Sequence, residues 1–152
     1  MTFVLENVRS AWNVGAIFRT ADAIGAKIIL IGYTPKPIGP SLKLVKKTAI
    51  GAEETVFWEH FEHSSEVFEN KKGLHIAIEI SSKSKNIFNY LKNKPKSQEE
   101  VFIWFGNEIH GVSTEALLGC KFELHLPMKG MKESLNVANC ATTVGYLFEC
   151  FN

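Results

Sequence analysis

The chain has 152 residues, 45% hydrophobic and 22% charged, with a formal net charge of +1 at pH 7. That length and balance give one compact domain with its own core and exclude a disordered or fibrous chain. A net charge so near zero lends no overall support to nucleic-acid binding, so any such role rests on local clusters.

No stretch approaches the roughly 18 apolar residues that span a bilayer. The opening Met1-Thr2-Phe3-Val4-Leu5-Glu6-Asn7 has no basic leader or small-residue cleavage site, so the expected compartment is the cytoplasm. Cys120, Cys140 and Cys150 are odd in number and widely spaced, with no Cys-x-x-Cys pair. They read as reduced, mostly buried packing residues rather than a disulfide framework or zinc site.

Phe3–Leu5 is a short apolar strand, followed by a polar loop through Asn13. From Val14 to Ile24 the apolar residues Ile17, Phe18, Ala21 and Ile24 recur at helical spacing, and Gly25 is a natural helix end. Lys27–Ile31 is a continuous apolar run, as in a strand covered on both faces. Pro35, Pro37, Gly39 and Pro40 mark a loop. Then come a helix within Leu42–Ile50, a strand at Thr55–Trp58, a helix over Phe61–Asn70 and a strand at Leu74–Ile80. A short helix at Ile87–Leu91 and a polar connection from Asn93 to Glu100 lead to a buried strand, Val101–Phe105. Thr114–Leu118 reads as a helix, Phe122–Leu126 as the final strand, and Ser134–Phe151 as the last helix.

This alternation predicts a single α/β domain with a mainly parallel sheet and helices on both faces. Ligands of such sheets sit beyond the carboxyl ends of the strands. The loops after Leu5, Ile80, Phe105 and Leu126 are therefore the places to look for a site.

Three stretches carry chemistry. In Asn13-Val14-Gly15-Ala16-Ile17-Phe18-Arg19, Asn13 stands where a helix N-cap would be and Arg19 follows almost two turns later. In Phe105-Gly106-Asn107-Glu108-Ile109-His110-Gly111, two glycines bracket a carboxylate directly after a buried strand. In Leu126-Pro127-Met128 through Ser134-Leu135-Asn136-Val137, a strand ends at a proline, and Ser134 opens a helix whose free N–H groups face a loop. Asn136 falls inside that helix, where asparagine has no propensity advantage. Taken singly, each stretch also fits a plainer role: a snorkelling arginine, a tight turn, a simple cap. The lysine groups at 43, 46 and 47, at 83 and 85, at 92, 94 and 96, and at 129 and 132 read first as solvated faces. His60-x-x-His63 has helical metal spacing without a nearby third ligand, so no metal is expected.

Together the three stretches resemble the motifs of the SpoU (TrmH-like) family of RNA ribose 2′-O-methyltransferases, in the SPOUT class. Asn13, Gly15, Arg19 and Gly25 match its first motif, Phe105–Gly111 its second, and Leu126–Val137 its third, in the same order and separation. The resemblance implies a SPOUT fold with a C-terminal deep trefoil knot, and a homodimer packed through the first and last helices. It implies S-adenosylmethionine as cofactor, contacted at Ile80, Gly106, Leu126, Ser134 and Leu135. It implies methyl transfer to a ribose 2′-hydroxyl of RNA, tRNA first and rRNA second. Arg19 would stand closest to the proton transfer, with Asn13, Glu108, Ser134 and Asn136 holding it and the ribose. Many relatives carry an added RNA-binding domain. Here residues 1–152 are expected to be one methyltransferase domain without one. The alternative is a knotted protein that binds RNA or the cofactor without catalysis.

Overall fold

The computed structural model describes residues 1–94 and 99–151. Part of the expected polar connection, and Lys96, lie outside the described residues. Seven strands form one sheet: β1 (Thr2–Glu6), β2 (Lys27–Ile31), β3 (Trp58–Phe61), β4 (Leu74–Ile78), β5 (Lys85–Asn86), β6 (Val101–Phe105) and β7 (Phe122–His125). Their order is β3-β2-β1-β6-β4-β7-β5, and every pairing is parallel. All the carboxyl ends therefore open on one edge.

The helices are α1 (Ala11–Ile24), α2 (Leu42–Ala49), α3 (Ala52–Thr55), α4 (Ser64–Asn70), α5 (Ile87–Asn93), α6 (Thr114–Gly119) and α7 (Val137–Cys150). Side chains alternate across the central strands and separate two cores. Phe3 and Leu5 face one side with Ile17 and Phe18 of α1, Val45 of α2 and Phe148 of α7. Val4 faces the other, with Trp104, Val67 of α4 and Ala116 of α6. No described helix is long and apolar enough to cross a membrane.

Several boundaries differ from the sequence reading, each for a local reason. The first helix starts at Ala11, because Ser10 is its cap and accepts the Asn13 N–H at 3.3 Å. It ends where expected, at Gly25 with φ of 67°. The strand expected at Thr55–Trp58 starts only at Trp58. A helical turn occupies Ala52–Thr55, where the Glu53 carboxylate accepts the Gly51 N–H at 3.0 Å. That strand runs to Phe61, so the following helix starts at Ser64 rather than Phe61. The last helix starts at Val137, not Ser134. Asn136 caps it, accepting from Ala138 at 2.9 Å and Asn139 at 3.3 Å. Cys120 and Cys140 are half-buried, but Cys150 is exposed, and all three are free thiols.

Gly15 is required by packing. A Cβ there would lie 2.2 Å from both Thr48 Oγ1 and the Val45 carbonyl, so its absence lets α1 and α2 approach. Across the sheet, His75 is buried in an aromatic cluster. Its ring stacks on Phe102 at 4.6 Å between centroids, and its Nδ1 accepts the Trp104 indole N–H at 3.0 Å. Nε2 is then the protonated nitrogen and donates to the Lys71 carbonyl at 3.0 Å.

Burial holds the His75 pKa below its ordinary value, against the opposing effect of the Lys71 carbonyl. The unfolded chain therefore binds the proton more tightly. This contribution to stability is complete above about pH 6.5 and is lost as pH falls towards the folded pKa. The slope is at most about 1.4 kcal/mol per pH unit. Thermal melts from pH 8 to 5 should show the loss, and His75→Gln should flatten it. An equal slope in the variant would assign it to other groups.

Candidate active site

A cleft of about 560 Å³ opens at the carboxyl ends of β4, β6 and β7. Its walls are the segment from Ile78 to Ile80, the turn from Gly106 to Ile109 with Gly111, and the stretch between β7 and α7. Ile80, Gly106, Leu126, Ser134 and Leu135 all line it, as do Glu108 and Asn136. The glycine of the second motif is there by necessity. A Cβ on Gly106 would lie 2.1 Å from the Gly111 carbonyl carbon, so the two arms of the turn press backbone on backbone.

Glu108 organises one corner. Its carboxylate accepts the Arg9 N–H at 2.8 Å, the Ser10 N–H at 3.1 Å and the Asn13 amide at 2.9 Å. Burial alone would raise its pKa. These donors outweigh burial and hold the carboxyl below the usual carboxylate range. It meets the N-terminus of α1, where negative charge is favoured. Asn13 also accepts from the Asn136 amide at 3.1 Å. Glu108, Asn13 and Asn136 thus form one chain of hydrogen bonds, joining the second motif to α1 and to the start of α7. Asn13 is free for this because Ser10 does the capping.

Arg19 does not reach the cleft. It is exposed on the outer side of α1, in a second cavity of about 450 Å³ with Lys47 and Ile50 at the end of α2 and Thr142 and Tyr146 of α7. Among the described residues it makes no hydrogen bond or ion pair. The helices around it are joined by a 2.7 Å hydrogen bond between Thr20 and Thr142 hydroxyls. Ser134 and Leu135 are exposed on the cleft rim, in a run from Lys129 to Asn136 that is exposed throughout.

Two residues that sequence reasoning passed over complete the architecture. Buried Asn107 donates to the Asn7 carbonyl and the Tyr33 hydroxyl, each at 2.8 Å, and accepts the Ile109 and His110 N–H groups at 2.8 and 3.0 Å. It pins the turn that presents Glu108. Glu79 accepts the Val112 N–H at 2.8 Å and the Ile80 N–H at 2.9 Å from within the cleft wall. Their signals were faint: an asparagine beside the bracketed carboxylate, and one acidic residue after an apolar strand.

The remaining candidates carry less. His60 bonds the Gly32 carbonyl at 2.9 Å, His63 caps α4, and no cluster among the described residues could hold a metal. Cys140 lines the cleft, but burial pushes its thiol up to about 11, aided by Glu79. Lys46 is held by Glu54 at 2.7 Å, and Lys47 lies over the Trp12 ring at 5.4 Å.

Residues 1–146 match the family model described as the SpoU rRNA Methylase family. A tRNA (guanosine(18)-2′-O)-methyltransferase of Thermus thermophilus is 30% identical over 152 residues, an alignment covering 98% of this chain and 73% of that protein. The 23S rRNA (guanosine-2′-O-)-methyltransferase RlmB of Neisseria meningitidis is 30% identical over 145 residues, covering 95% of this chain but 56% of RlmB. Among solved structures, the SpoU methyltransferase AviRb from Streptomyces viridochromogenes in complex with AdoMet superposes with a TM-score of 0.81. It is 21% identical and covers 97% of this chain and 56% of AviRb, a likeness that speaks for the fold.

Proposed function

This chain belongs to the SpoU rRNA methylase family, and on that premise we propose that it transfers the methyl group of S-adenosylmethionine to a ribose 2′-hydroxyl of RNA. The leading substrate is tRNA, with rRNA second. The observation that carries the reading is the hydrogen-bonded chain Glu108–Asn13–Asn136, drawn from three separate motifs, whose two ends line one cleft.

The cleft suits the cofactor. Its volume is within the range of small-molecule sites. Ile78, Ile80, Leu126 and Val137 offer an apolar wall, and Gly106 exposes backbone. Its charged lining is carboxylate, from Glu79, Glu108 and Glu133, with no lysine or arginine among the described lining residues. Ile80, Gly106, Leu126, Ser134 and Leu135 would hold the cofactor, largely through backbone groups. When bound, it supplies a methyl group on a sulfonium whose leaving group is a neutral thioether.

The protein's own task is to orient the ribose hydroxyl and help remove its proton. Glu108, Ser134 and Asn136 line the cleft and Asn13 joins Glu108 to Asn136; the four would serve this task. Arg19 points elsewhere, so within one chain the set is incomplete. We assign the completion to a homodimer packed through α1 and α7, in which Arg19 serves the partner's cleft. Exposed Trp12 and Tyr146, at 51% and 49%, support a covered face there. A guanidinium is a poor base and a strong anion ligand, so Arg19 is assigned the phosphate beside the target ribose. We also place a deep trefoil knot around residues 126–136. In support, β7 is separated from β1 by two strands, β6 and β4, yet α7 returns to pack on α1.

The test is transfer of labelled methyl from S-adenosylmethionine to bulk tRNA and rRNA from cells lacking this gene. Label recovered as a 2′-O-methylnucleoside is the expected result. Cofactor binding without transfer to either RNA would favour the non-catalytic alternative. No cofactor binding would undo the reading of the cleft.

A further inference from the structure

We infer that Glu79 makes the cleft select the charged methyl donor over its demethylated product; this rests on the cofactor reading above. S-adenosylmethionine carries a sulfonium, an ammonium and a carboxylate, for a net charge of +1. After transfer the sulfonium is a thioether and the net charge is zero. The ligand thus loses one positive charge in the reaction, and a fixed negative charge beside it senses the change.

Three carboxylates line the cleft, and they are not equivalent. Glu108 is enclosed by three N–H donors and the start of α1, so the protein itself satisfies its charge. Glu133 is exposed, and water screens it. Glu79 is half-buried. Each of its oxygens accepts one backbone N–H, from Ile80 and Val112, leaving acceptor capacity on both. No described cation pairs with it.

Its place is also tightly set. A Cβ on Gly111 would fall 2.2 Å from Glu79 Oε2, so the carboxylate is wedged against the turn that carries Glu108. A brace for the Val112 N–H needs no charge, since the carbonyl oxygen of a glutamine would still accept it, and the exposed Ile80 N–H can turn to water. A half-buried charge without a cation is costly unless something in the cleft meets it. The sulfonium does so and the thioether that replaces it does not, while the ammonium and carboxylate are common to both ligands. Glu79 is therefore a specificity-determining residue that favours donor entry and product release.

The measurement is calorimetric titration of the full chain with three ligands. They are S-adenosylmethionine, S-adenosylhomocysteine and sinefungin, whose amine keeps the positive charge without a transferable methyl. The wild type should bind both charged ligands about 5- to 10-fold more tightly than S-adenosylhomocysteine. In Glu79→Gln the three affinities should converge to within about 2-fold, with a melting temperature lowered only slightly, by the loss of the exposed Ile80 N–H bond. Glu133→Gln should keep most of the preference. An unchanged preference in Glu79→Gln would overturn the inference. So would equal weakening of all three ligands, the signature of a brace. Absence of binding by the wild type would bring down the cofactor reading itself, and this inference with it.

Discussion

Arg19→Ala should lower methyl transfer to RNA by about 10²- to 10³-fold while leaving the dissociation constant for S-adenosylmethionine unchanged. The separation follows from position. Arg19 stands in a different cavity from the cleft, and none of its atoms contributes to the cleft wall. It is exposed and unbonded to described residues, so its removal should not disturb the fold. Single-turnover transfer and cofactor titration, run on the same preparation, read the two quantities. Loss of cofactor affinity in step with turnover would place Arg19 in the binding of the donor. Unchanged turnover would remove it from the reaction. A mixture of Arg19→Ala with a protein inactivated at Glu108 gives a second reading. If Arg19 serves the partner's cleft, mixed dimers hold one intact site and recover activity.

Gly106→Ala should destabilise the fold by about 3 kcal/mol, a fall in melting temperature of about 6–12 °C for a chain of this size. It should also abolish measurable cofactor binding. The added methyl would sit 2.1–2.2 Å from three backbone atoms of Gly111 and Val112, which cannot rotate away as a side chain can. Relief requires the turn to open, displacing Glu108 from its three donors and widening one wall of the cleft. Gly130→Ala is the matching control. No atom lies within 4 Å of the position its Cβ would take, so it should be close to neutral. Equal stability of the two variants would refute the backbone contact across the turn.

Much of the fold was legible in the sequence, because fully buried parallel strands leave continuous apolar runs. Lys27–Ile31 and Val101–Phe105 were read to the residue. Failures came where local signals compete. Ser10 and Asn13 are both capping residue types, and only Glu108, 95 positions away, shows why the Asn13 side chain turns to it instead. Ser134 and Asn136 pose the same ambiguity at the other end of the chain, and the cap fell to Asn136. The three motifs were visible as separate stretches, but the hydrogen bonds that join them span the chain and leave no local mark. Glu79 and Asn107 escaped notice because one acidic residue after a strand, or one asparagine in a turn, is ordinary until its partners are known.

The place of β6 has a consequence for how the chain acquires its structure. β6 lies between β1 and β4, with Phe102 opposite Thr2 and Ile103 opposite Ile76. Until Val101–Phe105 has left the ribosome, β1 can pair only with β2. Strand β4 then has no partner, since β6 and β7 both follow it. A nascent chain of about the first two thirds therefore exposes one edge of β1 and both edges of β4, the kind of surface that recruits other chains. Closure must then span a long loop, which slows folding. Emergence of β6 is thus the step at which the exposed halves become one sheet, and holdase chaperones should bind the nascent chain most strongly just before it.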